Sequence, residues 1–276
     1  MKNPYPNARA WASIEAGIRL DEWLWGKTPE GFTRIVTERG TMIVARQGLE
    51  EYFVGKSFAG GAQASGVTPF QGRARLTAIV LPDGASALVR FYRRGGMVRY
   101  LTRDLFWTWP PRPFVELAAT EHARRRNICT LEVVAACVER AWGPFYRGWF
   151  VTRELIGSRD LWEALRGKNH TAAEKTALLK KVAGRIRWMH LQGIDHSDLN
   201  LKNLLVRREG TEIHVYIIDF DKARLSSAPV SGRNAGRNLE RLYRSARKLD
   251  PRGCWFSEEE WKLFGRFYHE SEFHET

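Results

Sequence analysis

The hydrophobic pattern changes character near the middle of the chain. In the first half, apolar residues gather in short β-rich runs: TMIVARQG (41–48), EYFVGKSF (51–58), RLTAIVL (75–81) and SALVRFY (86–92). PDG at 82–84 joins the last two as a hairpin turn. A helix is expected around 112–126, in PRPFVELAATEHARR, with Pro113 near its start, where a missing N–H is harmless. LEVVAACVERA (131–141) and PFYRGWFVTREL (144–155) return to strands, broken by Trp142-Gly143-Pro144.

In the second half the period lengthens to that of helices. SRDLWEALRG opens with Ser158 as an N-cap candidate before a short helix. Over 172–192 Leu178, Val182, Ile186 and Met189 recur at spacings of four, four and three, and Gly193 closes the helix. A polar loop follows, then the strand NLLVRR, a turn at Glu209-Gly210, the strand EIHVYIIDF and further helix. The pattern predicts an α+β protein of two lobes. A strand-rich lobe would span 1–153 and a helix-rich lobe 154–276, with a crossing segment near 152–157.

Composition narrows the picture only in part. With 276 residues and 43% apolar content, the chain can bury a core in each lobe. No apolar run is long enough to span a bilayer, and the N-terminus lacks the apolar segment of a secretory signal. Cys129, Cys137 and Cys254 have no metal-like spacing and read as thiols of a reducing compartment, so a cytoplasmic location is expected. Forty-four Lys and Arg against 31 Asp and Glu give a net charge of +13, which attracts polyanions. No nucleic-acid-binding signature accompanies it, so an anionic membrane or a phosphorylated substrate is the expected partner.

The chemistry concentrates in HSDLNLKN (196–203) and DFD (219–221). Polar residues beside apolar strands are costly unless they are paired or hold a charged ligand. Phosphoryl transfer needs a carboxylate to receive a hydroxyl proton and hard oxygen ligands for Mg²⁺ on the phosphates of ATP. Asp198 suits the first role, and Asn203 with Asp219 the second. The two stretches resemble the kinase patterns H-R-D-L-x-x-x-N and D-F-G, with Ser197 for arginine and Asp221 for glycine. Those departures, and the short span to the next helix near Asn234, argue against a regulated activation segment. In the first lobe Arg90 stands where kinases place a phosphate-binding lysine. Gly72-Arg73-Ala74 is the candidate phosphate-covering turn. Glu116 is the favoured partner of Arg90, with Glu121 as its rival. His196 reads as a structural histidine that holds the loop.

More of the chain carries a specific likeness. VRFYRRGGMVRYL (89–101), FVELAATEHARRRNICTLEVVAA (114–136), HSDLNLKNLLV (196–206), YIIDFDKARL (216–225) and NLERLYRSARKL (238–249) resemble the lipopolysaccharide kinases that act on 3-deoxy-D-manno-octulosonic acid (Kdo) or on core heptose. YRRGG, IDFDKARL and NLERLYRSARKL lean toward the Kdo kinases. The resemblance implies a protein-kinase-like fold and ATP- and Mg²⁺-dependent phosphorylation of an inner-core sugar hydroxyl, the 4-hydroxyl of Kdo on Kdo-lipid A in the Kdo branch. It implies Asp198 as general base, Asn203 and Asp219 as metal ligands, and Arg90 with Glu116 at the phosphates. NICTL departs from the family, whose members often carry a Gly-Leu-Pro or Gly-Ile-Pro turn there.

The acceptor so implied is acidic and membrane-bound, which gives the positive charge a use. Arg93, Arg94 and Arg99 lie among Phe91, Tyr92, Met97, Tyr100 and Leu101, a basic-aromatic segment suited to peripheral contact with the cytoplasmic face of the inner membrane. Arg233, Arg237, Arg241 and Arg244 recur at helix spacing, as a face toward the acidic acceptor or toward solvent. Two other readings remain open at this point: a heptose kinase, and a catalytically silent kinase-like binding protein at the membrane.

Overall fold

A computed structural model of the protein describes residues 28–38, 40–54, 68–69, 76–92, 105–108, 110–167, 171–210 and 212–270. Their contacts divide into two compact units. One holds the described residues up to Ser158 together with Tyr216–Asp221; the other holds Arg159–Val215 and the residues from Lys222 on.

The first unit is built on an antiparallel sheet. Its strands are β1 (Phe32–Val36), β2 (Met42–Arg46), β3 (Thr68–Pro69), β4 (Leu76–Val80), β5 (Ser86–Phe91), β6 (Val133–Arg140) and β7 (Tyr146–Arg153). They pair in the order β1-β2-β6-β7-β5-β4-β3. Alternation along the strands sends side chains to two faces. Ile43, Ile79, Val89, Cys137, Trp149 and Val151 pack one face, with Phe53 of the short helix α1 (Glu50–Val54). Val44, Tyr92, Ala136, Val138 and Phe150 pack the other against Phe114 and Leu117 of helix α2 (Arg112–Arg125).

EYFV, expected as strand, is helical instead. Leu49 and Phe53 fall four apart, and a backbone bond of 3.3 Å from Phe53 to Leu49 closes the turn that buries Phe53. The hairpin at 82–84 forms as expected, with Gly84 at φ +79. Asn127 explains how NICTL replaces a glycine turn. It ends α2 at φ +56, and the Asn127 and Ile128 amides bond back to Arg124 and Ala123 at 3.0 Å. That is a Schellman ending, and asparagine is the residue that best tolerates glycine's place in it.

The second unit is mainly helical. Strand β8 (Arg159–Asp160) leads into α3 (Leu161–Leu165). Asp160, rather than Ser158, caps α3, its carboxylate accepting from the Glu163 amide at 2.8 Å. Helix α4 (Ala172–Leu191) starts from a capping box in which Thr171 and Glu174 satisfy each other's backbone N–H groups. It buries Leu178, Val182, Ile186 and Met189, the periodic residues of the sequence. Gly193 ends it at φ +74, and a Cβ there would lie 2.2 Å from the Ser226 carbonyl oxygen, so no other residue fits. Then come β9 (Ile194–Asp195), a 3₁₀ turn (Leu201–Asn203), β10 (Leu204–Glu209), β11 (Glu212–Ile217), which crosses from one unit into the other, and β12 (Arg224–Leu225). Helices α5 (Gly232–Leu249) and α6 (Glu258–Glu270) complete the unit.

Candidate active site

In the sheet unit, three of the residues singled out from sequence meet. Arg90, on β5 opposite Phe150, reaches Glu116 of α2 with one guanidinium nitrogen and Asp219 Oδ1 with the other, the latter at 3.1 Å. α2 can approach the sheet closely because position 148 of β7 is glycine; a Cβ there would lie 2.5 Å from Pro113 Cγ. Glu121, five residues further along α2 and so on another face of it, pairs with Arg46 at 3.1 Å instead. Tyr92 donates its hydroxyl to Glu116, and its ring lies 5.1 Å from the Arg90 guanidinium. Burial pushes the Glu116 carboxyl up to about 7, against the pull of Arg90, with the Asp219 charge adding to the rise. Arg90 itself is held well above its ordinary range by Glu116, Tyr92 and Asp219, which outweigh its burial.

Asp219 has φ +70, a left-handed conformation uncommon outside glycine. Its segment is tied to the sheet unit by a 2.9 Å bond from the Ile217 amide to the Cys129 carbonyl. Arg112, the first residue of α2, pairs with the nearly buried Asp221 and lies over the rings of Tyr92 and Phe106. The aspartate that replaces glycine in DFD is therefore pinned. Tyr92, expected in the basic-aromatic segment at the membrane, is instead buried against Glu116. Arg112 escaped the sequence reading: the Arg112–Asp221 pair joins residues 109 apart.

In the helical unit, HSDLNLKN folds into a self-bonded loop. The Asn200 and Asn203 side-chain amides donate to the Asp198 carbonyl at 2.8 and 3.0 Å. The Asp198 amide donates to His196 Nδ1 at 3.3 Å, so His196, 1% exposed, works as a structural residue. The Asp198 carboxylate is partly exposed and faces Lys222 Nζ at 3.6 Å. α5 holds the loop from behind. Asn238 accepts from the His196 amide at 2.9 Å and donates to Asp195 at 2.7 Å, while Ser245 accepts from the Leu201 amide at 3.3 Å. Asn238 also bonds His190, whose imidazole burial drives down to about 4. Lys222 directly follows DFD and Asn238 opens the family-like run NLERLYRSARKL, but the grip of Asn238 on the loop is not written in that run.

Asp219 of the sheet unit carries a carboxylate, and Asn203 of the helical unit an amide oxygen, its nitrogen being committed to Asp198. These are hard donors of the kind Mg²⁺ takes in ones and twos beside phosphate oxygens. Among the described residues no group of three or more His, Cys, Asp or Glu gathers as a metal cluster. Gly72, Arg73, Ala74 and most of the basic-aromatic segment, including Arg93, Arg94 and Arg99, lie outside the described residues.

The chain matches the model of the "Lipopolysaccharide kinase (Kdo/WaaP) family" over residues 61–268. A 3-deoxy-D-manno-octulosonic acid kinase of Vibrio vulnificus (strain CMCP6) is 33% identical over 191 residues, 68% of this chain and 75% of the relative. One of Pasteurella multocida (strain Pm70) is 29% identical over 74% of this chain and 81% of its own. Among solved structures, "WaaP in complex with acyl carrier protein" superposes with a TM-score of 0.55 at 19% identity, covering 83% of this chain and 89% of that one. That likeness establishes the kinase-like α+β fold.

Proposed function

Because the chain belongs to the lipopolysaccharide kinase (Kdo/WaaP) family, we propose that it transfers the γ-phosphoryl group of ATP to the 4-hydroxyl of Kdo on Kdo-lipid A. The observation that carries this reading is the partly exposed Asp198 carboxylate on a loop locked by its own amides and by α5. Rigid support of this kind keeps a proton acceptor in position. As the sugar oxygen attacks the γ-phosphorus, the bond to the β–γ bridging oxygen breaks and ADP leaves. The hydroxyl proton passes to Asp198.

Asn203 and Asp219 would hold Mg²⁺, which when bound neutralises phosphate charge. Arg90 is the candidate phosphate contact, with Glu116 and Tyr92 fixing its guanidinium. Since one nitrogen of Arg90 rests on Asp219, that nitrogen exchanges the carboxylate for a phosphate oxygen when nucleotide binds. The turn at Gly72, Arg73 and Ala74 would cover the phosphates. In this reading residues 1–153 form the nucleotide-binding lobe and 154–276 the catalytic and acceptor-binding lobe. The protein would work in the cytoplasm, in peripheral contact with the anionic inner membrane. No described helix is long and apolar enough to cross that membrane.

The test is to incubate the purified protein with Mg²⁺, labelled ATP and either Kdo-lipid A or a heptosylated core acceptor. Label on Kdo-lipid A supports the assignment. Label only on the heptosylated acceptor would make the protein a heptose kinase, and nucleotide binding without transfer to either would make it a silent binding protein.

A further inference from the structure

α5 has two faces with different tasks. Its buried side carries Ala235, Asn238, Leu242 and Ala246, and through Asn238 and Ser245 it grips the loop that bears Asp198. Its outer side exposes Arg233, Arg237, Arg241, Arg244 and Lys248. At 3.6 residues per turn these five cations fall within an arc of about 80° and along about 22 Å of helix. Arg244 has Glu240 at 3.9 Å, a weak exposed contact. Among the described residues no carboxylate pairs with Arg233, Arg237, Arg241 or Lys248, although Arg237 touches the Asn234 side chain at 3.5 Å. The stripe runs toward a cleft lined by Leu249, Arg252, Arg166 and two tryptophans, Trp162 and Trp255. Tryptophan beside arginine suits a membrane–water interface, where one end of the ring is apolar and the other wet.

Building on the membrane contact proposed above, we infer that the outer face of α5 is the surface by which the protein docks on an anionic lipid bilayer. A ridge of exposed cations, four of the five with no carboxylate partner among the described residues, matches a flat array of phosphates better than it matches one small ligand. The arrangement also has a geometric consequence. The loop is fastened to the flank of the same helix, Asn238 and Ser245 lying about 100° and 80° around from the middle of the stripe, so docking would hold Asp198 within about one helix diameter, roughly 10–12 Å, of the headgroups. That height suits a sugar attached to a lipid. It also moves the docking role away from the basic-aromatic segment around Arg93, Arg94 and Arg99.

The test is sedimentation of the full chain with vesicles of phosphatidylcholine alone or mixed with phosphatidylglycerol, at low and high salt. The wild type should bind only the anionic vesicles, and less as salt screens the charges. A triple variant Arg237→Ala, Arg241→Ala, Arg244→Ala should keep its melting temperature, since alanine favours an exposed helix. It should lose roughly 100-fold in partitioning, as three cations leave an anionic surface. The matching Arg→Lys triple variant should bind like wild type, because a bilayer reads charge rather than guanidinium shape. Failure of the wild type to bind anionic vesicles overturns both the membrane contact and this docking face. Wild-type binding that the alanine variant retains, while Arg93→Ala, Arg94→Ala, Arg99→Ala abolishes it, overturns the α5 face alone. Loss of binding in the lysine variant also overturns it, in favour of a partner that reads the arginine fork, such as an acidic protein.

Discussion

Glu116→Gln separates charge from shape at the centre of the sheet unit. The Glu116 side chain is 3% exposed, and burial lifts its carboxyl from the ordinary 4.5 to about 7. Below the unfolded value the carboxyl is protonated in both states, and its full contribution to stability is present. As pH rises, the unfolded chain releases the proton first, so stability falls until the folded carboxyl has also ionised near 7. Integrating that difference from about pH 5 to pH 8, at 1.36 kcal/mol per unit, gives a loss on the order of 2–3 kcal/mol in the wild type. Glutamine has nearly the shape of the protonated acid and no such loss. The variant should therefore match the wild type near pH 5 and exceed it by roughly 2–3 kcal/mol near pH 8. Urea unfolding across that range, with wild type and variant compared at each pH, reads the difference. A difference that does not change with pH, or one that grows in favour of the wild type, would refute the reasoning.

Asp198→Asn should lower kcat by about 10²–10⁴-fold while ATP affinity stays close to normal, because a proton acceptor acts in the transfer step. A twofold loss in single-turnover kinetics would remove it from that role. Asp219→Asn keeps a residue that tolerates φ +70, so the variant should remain folded but lose Mg²⁺-dependent turnover; undiminished turnover would move the metal site elsewhere. Asn238→Ala leaves the Asp195 carboxylate and the His196 amide short of a partner. It should cost about 2–4 kcal/mol in denaturant unfolding, as buried polar groups are orphaned, and an unchanged midpoint would show that α5 does not hold the loop.

What the sequence reveals follows the range of the interactions. β4, β5 and the turn between them are visible because alternation and Asp83-Gly84 are local signals. The long period of α4 shows through Leu178, Val182, Ile186 and Met189 for the same reason. EYFV misleads because a run of four fits either a strand face or one helical turn, and only the sheet that receives Phe53 decides. Ser158 and Asp160 are both good caps, and pairing of Asp160 with the Glu163 amide selects the second. At the candidate site, motif spacing singles out Asp198, Asn203 and Asp219. The choice between Glu116 and Glu121 as partner of Arg90 depends on which turn of α2 faces β5, a tertiary fact. Tyr92 and Asn238 lie inside family-like runs and Arg112 in none, yet the role of each arises only when distant segments pack together.

The central claim concerns where the phosphate goes, and the most direct measurement is correlated ³¹P–¹H NMR of the product formed from Kdo-lipid A, ATP and Mg²⁺. The account predicts a single phosphomonoester coupled to the proton on carbon 4 of Kdo, its yield at matched early times falling by about 100-fold or more when Asp198→Asn replaces the wild type. A phosphate on another position or another sugar, or an equal yield of the same product from the variant, would contradict it.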